Sequence, residues 1–403
     1  MKRCRLGRPW RASHGWEVPL RKRRITPAVA GWWLRISITL LGVVIAAGLS
    51  TSMAVSSPTP PVPGQTGRFV HVTNHADNVA DQRSDNGASA RAGTSLAGPL
   101  PTPTPTTTTP PVRRGGAYVT NYELDTVAVI DTTTNTVIAT IPVGDRPLGV
   151  AVNPAGTRVY VTNEGSNSVS VIDATTDTVI ATVPVGDRPK GVAVSPDGTR
   201  AYVTNSFSGT VAVIDTTTHT VIATIPVGEA PRDVAFTPDG TRAYVSNAGS
   251  GTVSVIDATT DTVMATVPVG GSPQGVAVSP DGTRAYVTNS FSGGVSVIDT
   301  TTDTVIATVS AGGSPQGVAV TPDGTRAYVT DSPFRAVRVI DTTTNTVIAS
   351  VQVGMNPQGV AVTSDGTRVY VASSAVRVID TTTNTVTDTI HVGTPFGVAI
   401  ATP

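Results

Sequence analysis

The side chains best placed to do chemistry in this chain sit one residue after a recurring proline. Leu148, Lys190, Arg232, Gln274, Gln316 and Gln358 stand 42 residues apart, and Phe396 closes the series 38 residues later. Two cations, three amides and two apolar groups suit the capture of a ligand: they hydrogen-bond and cover it. Acids lie close by in sequence at Asp145, Asp187, Glu229 and Asp233. Of these, Glu229 or Asp233 is the base that a hydrolase of a lactone or glycan would require.

The usual catalytic and metal-binding signatures are missing. There is no HExxH, no GxSxG, no phosphate-cradling glycine loop and no cluster of histidines. His219 falls in a turn and His391 in an outer strand, so the two do not converge. No catalytic residue, metal ligand or cofactor is assigned on this basis. A second set of variable residues, Tyr122, Glu123, Phe207, Phe291, Phe334 and Arg335, falls in loops expected on the same face. Exposed aromatics beside amides and charges can stack on sugar rings or anchor a protein. The expected ligand-binding set is therefore Lys190, Arg232, Gln274, Gln316, Gln358, Phe396, Phe207, Phe291 and Phe334.

The elements that must position these residues are repeats. Tyr118, Tyr160, Tyr202, Tyr244, Tyr286, Tyr328 and Tyr370 recur every 42 residues. In residues 191–228, GVAV, RAYVTN, TVAVID and TVIATIPV read as four strands, A to D, rich in Val, Ile, Thr and Tyr and punctuated by Gly, Pro, Asp or Asn. A four-stranded unit of about 40 residues cannot bury both faces alone, which predicts a seven-bladed all-β propeller of antiparallel blades. The first repeat lacks strand A, whereas the chain finishes on Gly397, Val398, Ala399, Ile400, an A strand without a B. This last strand is expected to complete the first blade and close the ring.

The tetrads YVTN at 118–121, 160–163, 202–205 and 286–289, with VID and PDG at fixed offsets, resemble the YVTN-family β-propeller repeat proteins over residues 115–403. That resemblance implies a seven-bladed propeller on a secreted or surface protein, surface-layer proteins included. It implies no particular activity, since related propellers serve as adhesive modules, lactonases and haem carriers. The chain departs from the pattern at Asp331, Ala372 and Ser373, where the last B to C turn is also three residues shorter.

Residues present in every blade read as scaffold. Asp197, Asp239, Asp281, Asp323 and Asp365, each before Gly, are expected to make tight turns and not a calcium array. Arg158, Arg200, Arg242, Arg284, Arg326 and Arg368 are expected to pair with the strand C Asp of their own blade, Asp173, Asp215, Asp257, Asp299, Asp341 and Asp380.

Outside the repeats the chain changes character. Residues 1–35 form a basic leader with ten Lys or Arg against Glu17, and 36–55 an uncharged apolar run able to cross a bilayer with the leader cytoplasmic. Two readings of that run stand, a cleaved signal peptide or a retained anchor. Residues 56–114 are a Pro/Thr-rich tether of extended, disordered character. Residues 115–403 carry 13 Arg or Lys against 24 Asp or Glu, a net charge of −11 that disfavours nucleic acid. The lone Cys4 excludes an intrachain disulfide. The expectation is an exported, monomeric propeller that binds a protein or a cell-envelope carbohydrate, touching membrane only through an uncleaved N-terminal segment. The alternatives are the hydrolase above and a structural envelope layer.

Overall fold

The computed structural model describes residues 115–401. The calls on the basic leader, the apolar run and the tether lie outside these residues.

Twenty-eight strands, numbered β1 to β28 in chain order, form seven four-stranded antiparallel sheets. In blade 3 they are β8 (Pro189–Val194), β9 (Arg200–Asn205), β10 (Thr210–Asp215) and β11 (Thr220–Pro226), corresponding to A, B, C and D. Blade 1 joins the two ends of the repeat region. Here β28 (Pro395–Ile400) pairs antiparallel with β1 (Gly116–Asn121), placing Tyr118 opposite Ala399 and Val119 opposite Val398. The ring closes as expected. Closure does not remove every edge, because strand D remains the unpaired outer edge of each sheet.

Burial follows position in the blade. B and C strands are covered on both faces by neighbouring blades; in blade 3 Ala201, Tyr202, Val203, Val211, Val213 and Ile214 are all fully buried. That removes the alternation a half-exposed strand would show and explains the apolar runs. Strand D lies outside and does alternate. In every blade its pairing to C skips one residue, so that Val213 faces Ala223 and Ile214 faces Val221, leaving Ile222 bulged and half-exposed. A bulge twists an edge strand and hinders pairing with another chain.

The A–B and C–D turns share one end of the ring, where the scaffold residues are found. The Asp-Gly turns form as expected: Gly198 has φ +74°, and Asp197 accepts a hydrogen bond from the Thr199 N–H at 3.0 Å. The arginine pairing needs correction. Only Arg158 reaches the Asp of its own blade, at 2.8 Å from Asp173. Arg200 instead pairs with Asp261 at 2.9 Å and Arg242 with Asp303 at 3.3 Å, both in the next blade's C–D turn. Arg284, Arg326 and Arg368 donate to the carbonyls of Thr342, Thr381 and Thr132, again one blade on. The strand C aspartates are already engaged by their own turns; Asp215 accepts the N–H groups of Thr217 and Thr218 at 2.9 and 2.7 Å. Capping does not itself exclude the pair, since Asp173 accepts the Thr175 N–H at 2.8 Å and still meets Arg158; the next blade's turn offers Asp261 to Arg200 but carries His219 at the place equivalent for Arg158.

The tyrosines complete this clasp. Tyr244 donates to Asp303 at 2.9 Å, Tyr328 to Asn384 at 3.0 Å and Tyr370 to Asn135 at 2.6 Å, all across a blade boundary. Their acceptors stand at the left-handed residue of each C–D turn, where Asn and Asp are favoured; φ is +55° at Asn135 and +52° at Asp303. Burial first, and then the hydrogen bond to the carboxylate, raises the phenol pKa of Tyr202 and Tyr244 well above its usual value.

Candidate functional site

The opposite end carries the D–A and B–C loops. There the A strand departs from regular pairing in the same way around the ring. Pro189 faces Asn205 and Val192 faces Val203, so Lys190 and Gly191 together oppose the single Thr204. The same skip places Leu148, Arg232, Gln274, Gln316 and Phe396 at bulges, and a bulge re-aims the side chain it carries. Gln358 holds the equivalent place just before the shortened β24 (Val360–Val362).

A ring of hydroxyls fixes this geometry. Thr162 accepts from the Gly149 N–H at 2.8 Å and donates to the Lys190 carbonyl of the next blade at 2.6 Å. Thr120, Thr204 and Thr330 likewise donate to the carbonyls of Leu148, Arg232 and Gln358 at 2.8, 2.9 and 2.7 Å. Ser246 and Thr288 do so to Gln274 and Gln316. Ala372, flagged by sequence as a departure, has no hydroxyl; there the Gly359 N–H reaches the Phe396 carbonyl directly at 2.9 Å. The spacing is so close that a Cβ at Gly149 would stand 2.3 Å from the Lys190 carbonyl oxygen.

Inside this ring is a cavity of about 240 Å³, lined by Leu148, Lys190, Arg232, Asp233, Gln274, Gln316, Gln358 and Phe396. The seven post-proline residues thus meet at one opening, as the spacing implies. Their electrostatic situations differ. Lys190 is committed to Glu164 at 2.6 Å, with side chains 19% and 14% exposed, and the Tyr122 hydroxyl donates to the same carboxylate at 3.3 Å. Burial pushes the Glu164 carboxyl up, but the hydrogen bond and charge of Lys190 outweigh it and hold it below its usual value. Burial draws the Lys190 ammonium down.

Arg232 has no such partner. Its guanidinium makes no hydrogen bond or ion pair among the described residues, and its Nε is buried without one. A buried donor left open costs about 1–3 kcal/mol, more when charged, so it is a place for an incoming acceptor. The three glutamines are half satisfied. The Nε2 atoms of Gln274 and Gln316 donate to Ser272 and Ser314 Oγ at 3.0 and 2.9 Å, and that of Gln358 to Asn356 Oδ1 at 2.8 Å. Each amide is oriented by its own loop with its carbonyl Oε1 free to accept.

Asp233 stands where the six other blades have glycine. Its carboxylate accepts the N–H groups of Val234 at 2.9 Å and Val276 at 3.1 Å. Burial raises its pKa to about 6, these two bonds opposing the rise. Glu229, the other acid considered from sequence, is exposed in its loop and outside the cavity lining.

Phe396 apart, the aromatic residues expected at the site lie outside this opening. Phe207, Phe291 and Phe334 are 74, 88 and 54% exposed and are not among the lining residues. Arg188 lies 5.6 Å from the Phe207 ring centre and Arg338 lies 5.0 Å from that of Phe334. Arg338 also explains Asp331. It pairs with that fully buried carboxylate at 3.1 Å, from a strand C position that holds Ala or Ser in blades 1 to 5. Sequence reading missed Glu164. The signal was available, because the residue after each B strand Asn reads Tyr122, Glu164, Ser206, Ala248, Ser290, and so varies around the ring as the post-proline position does. Among the described residues no group of three or more His, Cys, Asp or Glu gathers to hold a metal, and no helix is long and apolar enough to cross a membrane.

Residues 151–242 match the family model of YNCE-like beta-propellers, and 205–354 that of the choice-of-anchor I domain. Among solved structures, the chain is similar to hydrazine synthase of Kuenenia stuttgartiensis at 26% identity, with 66% of this chain and 92% of that one covered and a TM-score of 0.61. It is similar to a functionally unknown protein from Desulfotomaculum acetoxidans DSM 771 at 18% identity, covering 72% and 99%, TM-score 0.64. A third likeness is to the dihydro-heme d1 dehydrogenase NirN in complex with DHE, at 18% identity, covering 70% and 74%, TM-score 0.53. No curated protein matches. These neighbours differ in what they are named for, so the shared fold transfers no activity. The chain is a seven-bladed β-propeller repeat protein, and with its choice-of-anchor match the fold suggests a surface-associated module.

Proposed function

We propose that this propeller is a non-catalytic binding module at the cell surface, taking a protein or carbohydrate ligand on the face of its D–A and B–C loops. The observation that carries this reading is the state of Arg232, a guanidinium without a partner at a rim where a strand B hydroxyl holds the backbone in six of the seven blades. The hydroxyl ring fixes the backbone whatever the side chain is, so the fold does not require an Arg there. The ligand's polar end enters the cavity, Arg232 and the three Gln orient it, and Phe396 with Leu148 covers its apolar part. Phe207, Phe291 and Phe334 supply contact area on the surrounding loops. Lys190 acts through its pair with Glu164 and not as a free cation.

The test is retention of cell-envelope protein or glycan by the purified full chain, compared with an Arg232→Ala, Gln274→Ala variant of equal melting temperature. Selective loss in the variant supports the module; equal retention would remove the site.

A second reading is favoured by Asp233, a cavity carboxylate whose pKa near 6 suits a general base. A lactone or glycan hydrolase built on it would lose turnover in Asp233→Asn while keeping substrate binding. A panel of such substrates showing no turnover with the parent protein would end that reading.

A further inference from the structure

We infer that the central cavity and the groove beside it form a site for an acidic oligosaccharide, with the carboxylate of one uronic-acid unit on the Arg232 guanidinium and its ring hydroxyls donated to the Gln carbonyls. This rests on the binding-module reading and narrows it to one ligand class.

Four observations converge. The first is charge: Arg232 is the lining cation without a partner, while Lys190 is already neutralised by Glu164. A guanidinium facing a cavity matches a carboxylate in shape as well as charge. The second is the amides. With Nε2 of Gln274, Gln316 and Gln358 bound to their own loops, the groups left are three acceptors, which call for several donors around one carboxylate. A sugar ring supplies such hydroxyls; an acidic peptide side chain has none.

The third is size and surface. About 240 Å³ is small beside the roughly 300–1,000 Å³ of pockets for drug-sized ligands, which limits the cavity to one ring-sized group. Phe396, with the Tyr122 ring 6.0 Å away, provides an aromatic wall for the C–H face of that ring. The fourth is continuation. Gln316 and Gln358 also border a shallow groove of about 560 Å³ between blades 6 and 7, together with Met355 and Arg335. The Arg335 side chain is exposed and makes no hydrogen bond or ion pair among the described residues. Through Gln316 and Gln358, which border both, the groove adds a second open guanidinium to the cavity's own, and this fits a ligand that repeats its carboxylate. The propeller's own net charge of −11 opposes indiscriminate adsorption of polyanions, so binding must come from these local contacts.

The experiment is calorimetric titration of the purified full chain with tetragalacturonate, with its neutral counterpart galactotetraose, with monomeric galacturonate and with a short polyglutamate. The expected result is binding of tetragalacturonate at least tenfold tighter than galactotetraose. Arg232→Ala and Arg232→Gln should each weaken it by about 10- to 100-fold, the range for a hydrogen-bonded charge. Arg335→Ala should weaken the tetramer severalfold and leave the monomer unchanged. Arg232 makes no hydrogen bond or ion pair among the described residues, so both replacements should fold. Equal affinity for the charged and neutral tetramers, indifference to Arg232, no binding at all, or equal binding of polyglutamate would each overturn the inference. Envelope material still retained through Arg232 and Gln274 alongside any of those results would sink the acidic-sugar assignment alone. Loss of both would sink the module as well.

Discussion

At the end of the ring built from A–B and C–D turns, the same polar groups recur blade after blade and satisfy one another. Arg and Tyr from one blade clasp the C–D turn of the next, and the strand C Asp caps its own turn. At the other end the backbone is held just as uniformly by the hydroxyl ring, but the side chains it presents differ at each step. Repetition marks what the fold needs. Divergence over a uniform backbone marks what it does not need. Divergence alone is still an incomplete guide, because two pairs of departures there answer each other: Asp331 with Arg338, and Lys190 with Glu164. Only when partners are known does Arg232 stand apart.

The sharpest way to test this division is to break a paired departure. Asp331→Ala leaves Arg338, 21% exposed, facing an empty buried site, and should cost about 3 kcal/mol in urea unfolding, the low end for breaking a buried pair. Restoring the common residues with Asp331→Asn and Arg338→Ser together should recover most of it, and a double-mutant cycle reads the coupling.

Asp233 gives an effect of similar size but visible only against pH. Its folded pKa of about 6 lies above the ordinary carboxyl value, so between pH 4 and 6 the native state holds a proton that the unfolded state has released. Its contribution is therefore complete at low pH and lost as pH rises through 6. The cations Arg232 and Lys190 line the same cavity. Asp233→Gly, the residue of the other blades, should flatten this decline by about 2 kcal/mol between pH 4 and pH 7. Parallel stability curves for parent and variant would show that the carboxyl is not desolvated as described.

On the repeated end, Tyr244→Phe removes one cross-blade hydroxyl and should cost about 1–2 kcal/mol, checked by thermal unfolding. The smallest loss should come from Arg232→Ala, which should leave the protein at or somewhat above the parent's stability despite its place in the pore, because it also removes a buried donor without a partner. A large loss there would mean that the fold uses this arginine after all, and the contrast between the two ends would fail.

Much of this was legible beforehand. The 42-residue period, the alternation of Val/Ile/Thr/Tyr runs with Gly, Pro, Asp or Asn punctuation, and the one missing strand matched by one spare lead to seven closed blades. The post-proline position was also identifiable, since the Pro recurs with the repeat while the residue after it varies; in six of the seven blades it stands at a bulge. Pairing was not. Arg200 was expected to meet Asp215, yet it meets Asp261, because a repeat shows which residues recur without showing whether a side chain reaches across its own sheet or to the neighbouring one. Phe207 and Phe291 were grouped with the pore residues on shared loop position, though their loops place them outside its lining.

By itself, then, the sequence determined the local periods: strand lengths, turn chemistry, the number of blades and the position that varies among them, all consequences of backbone preference and apolar pattern acting over a few residues. Which charges are spent and which stay open was decided only by tertiary structure. Lys190 and Arg232 are equivalent in the repeat, but a glutamate from a B–C loop pairs with the first, and among the described residues no hydrogen-bond or ion-pair partner meets the second. That difference depends on distances between side chains brought together by the ring, which a one-dimensional pattern does not contain.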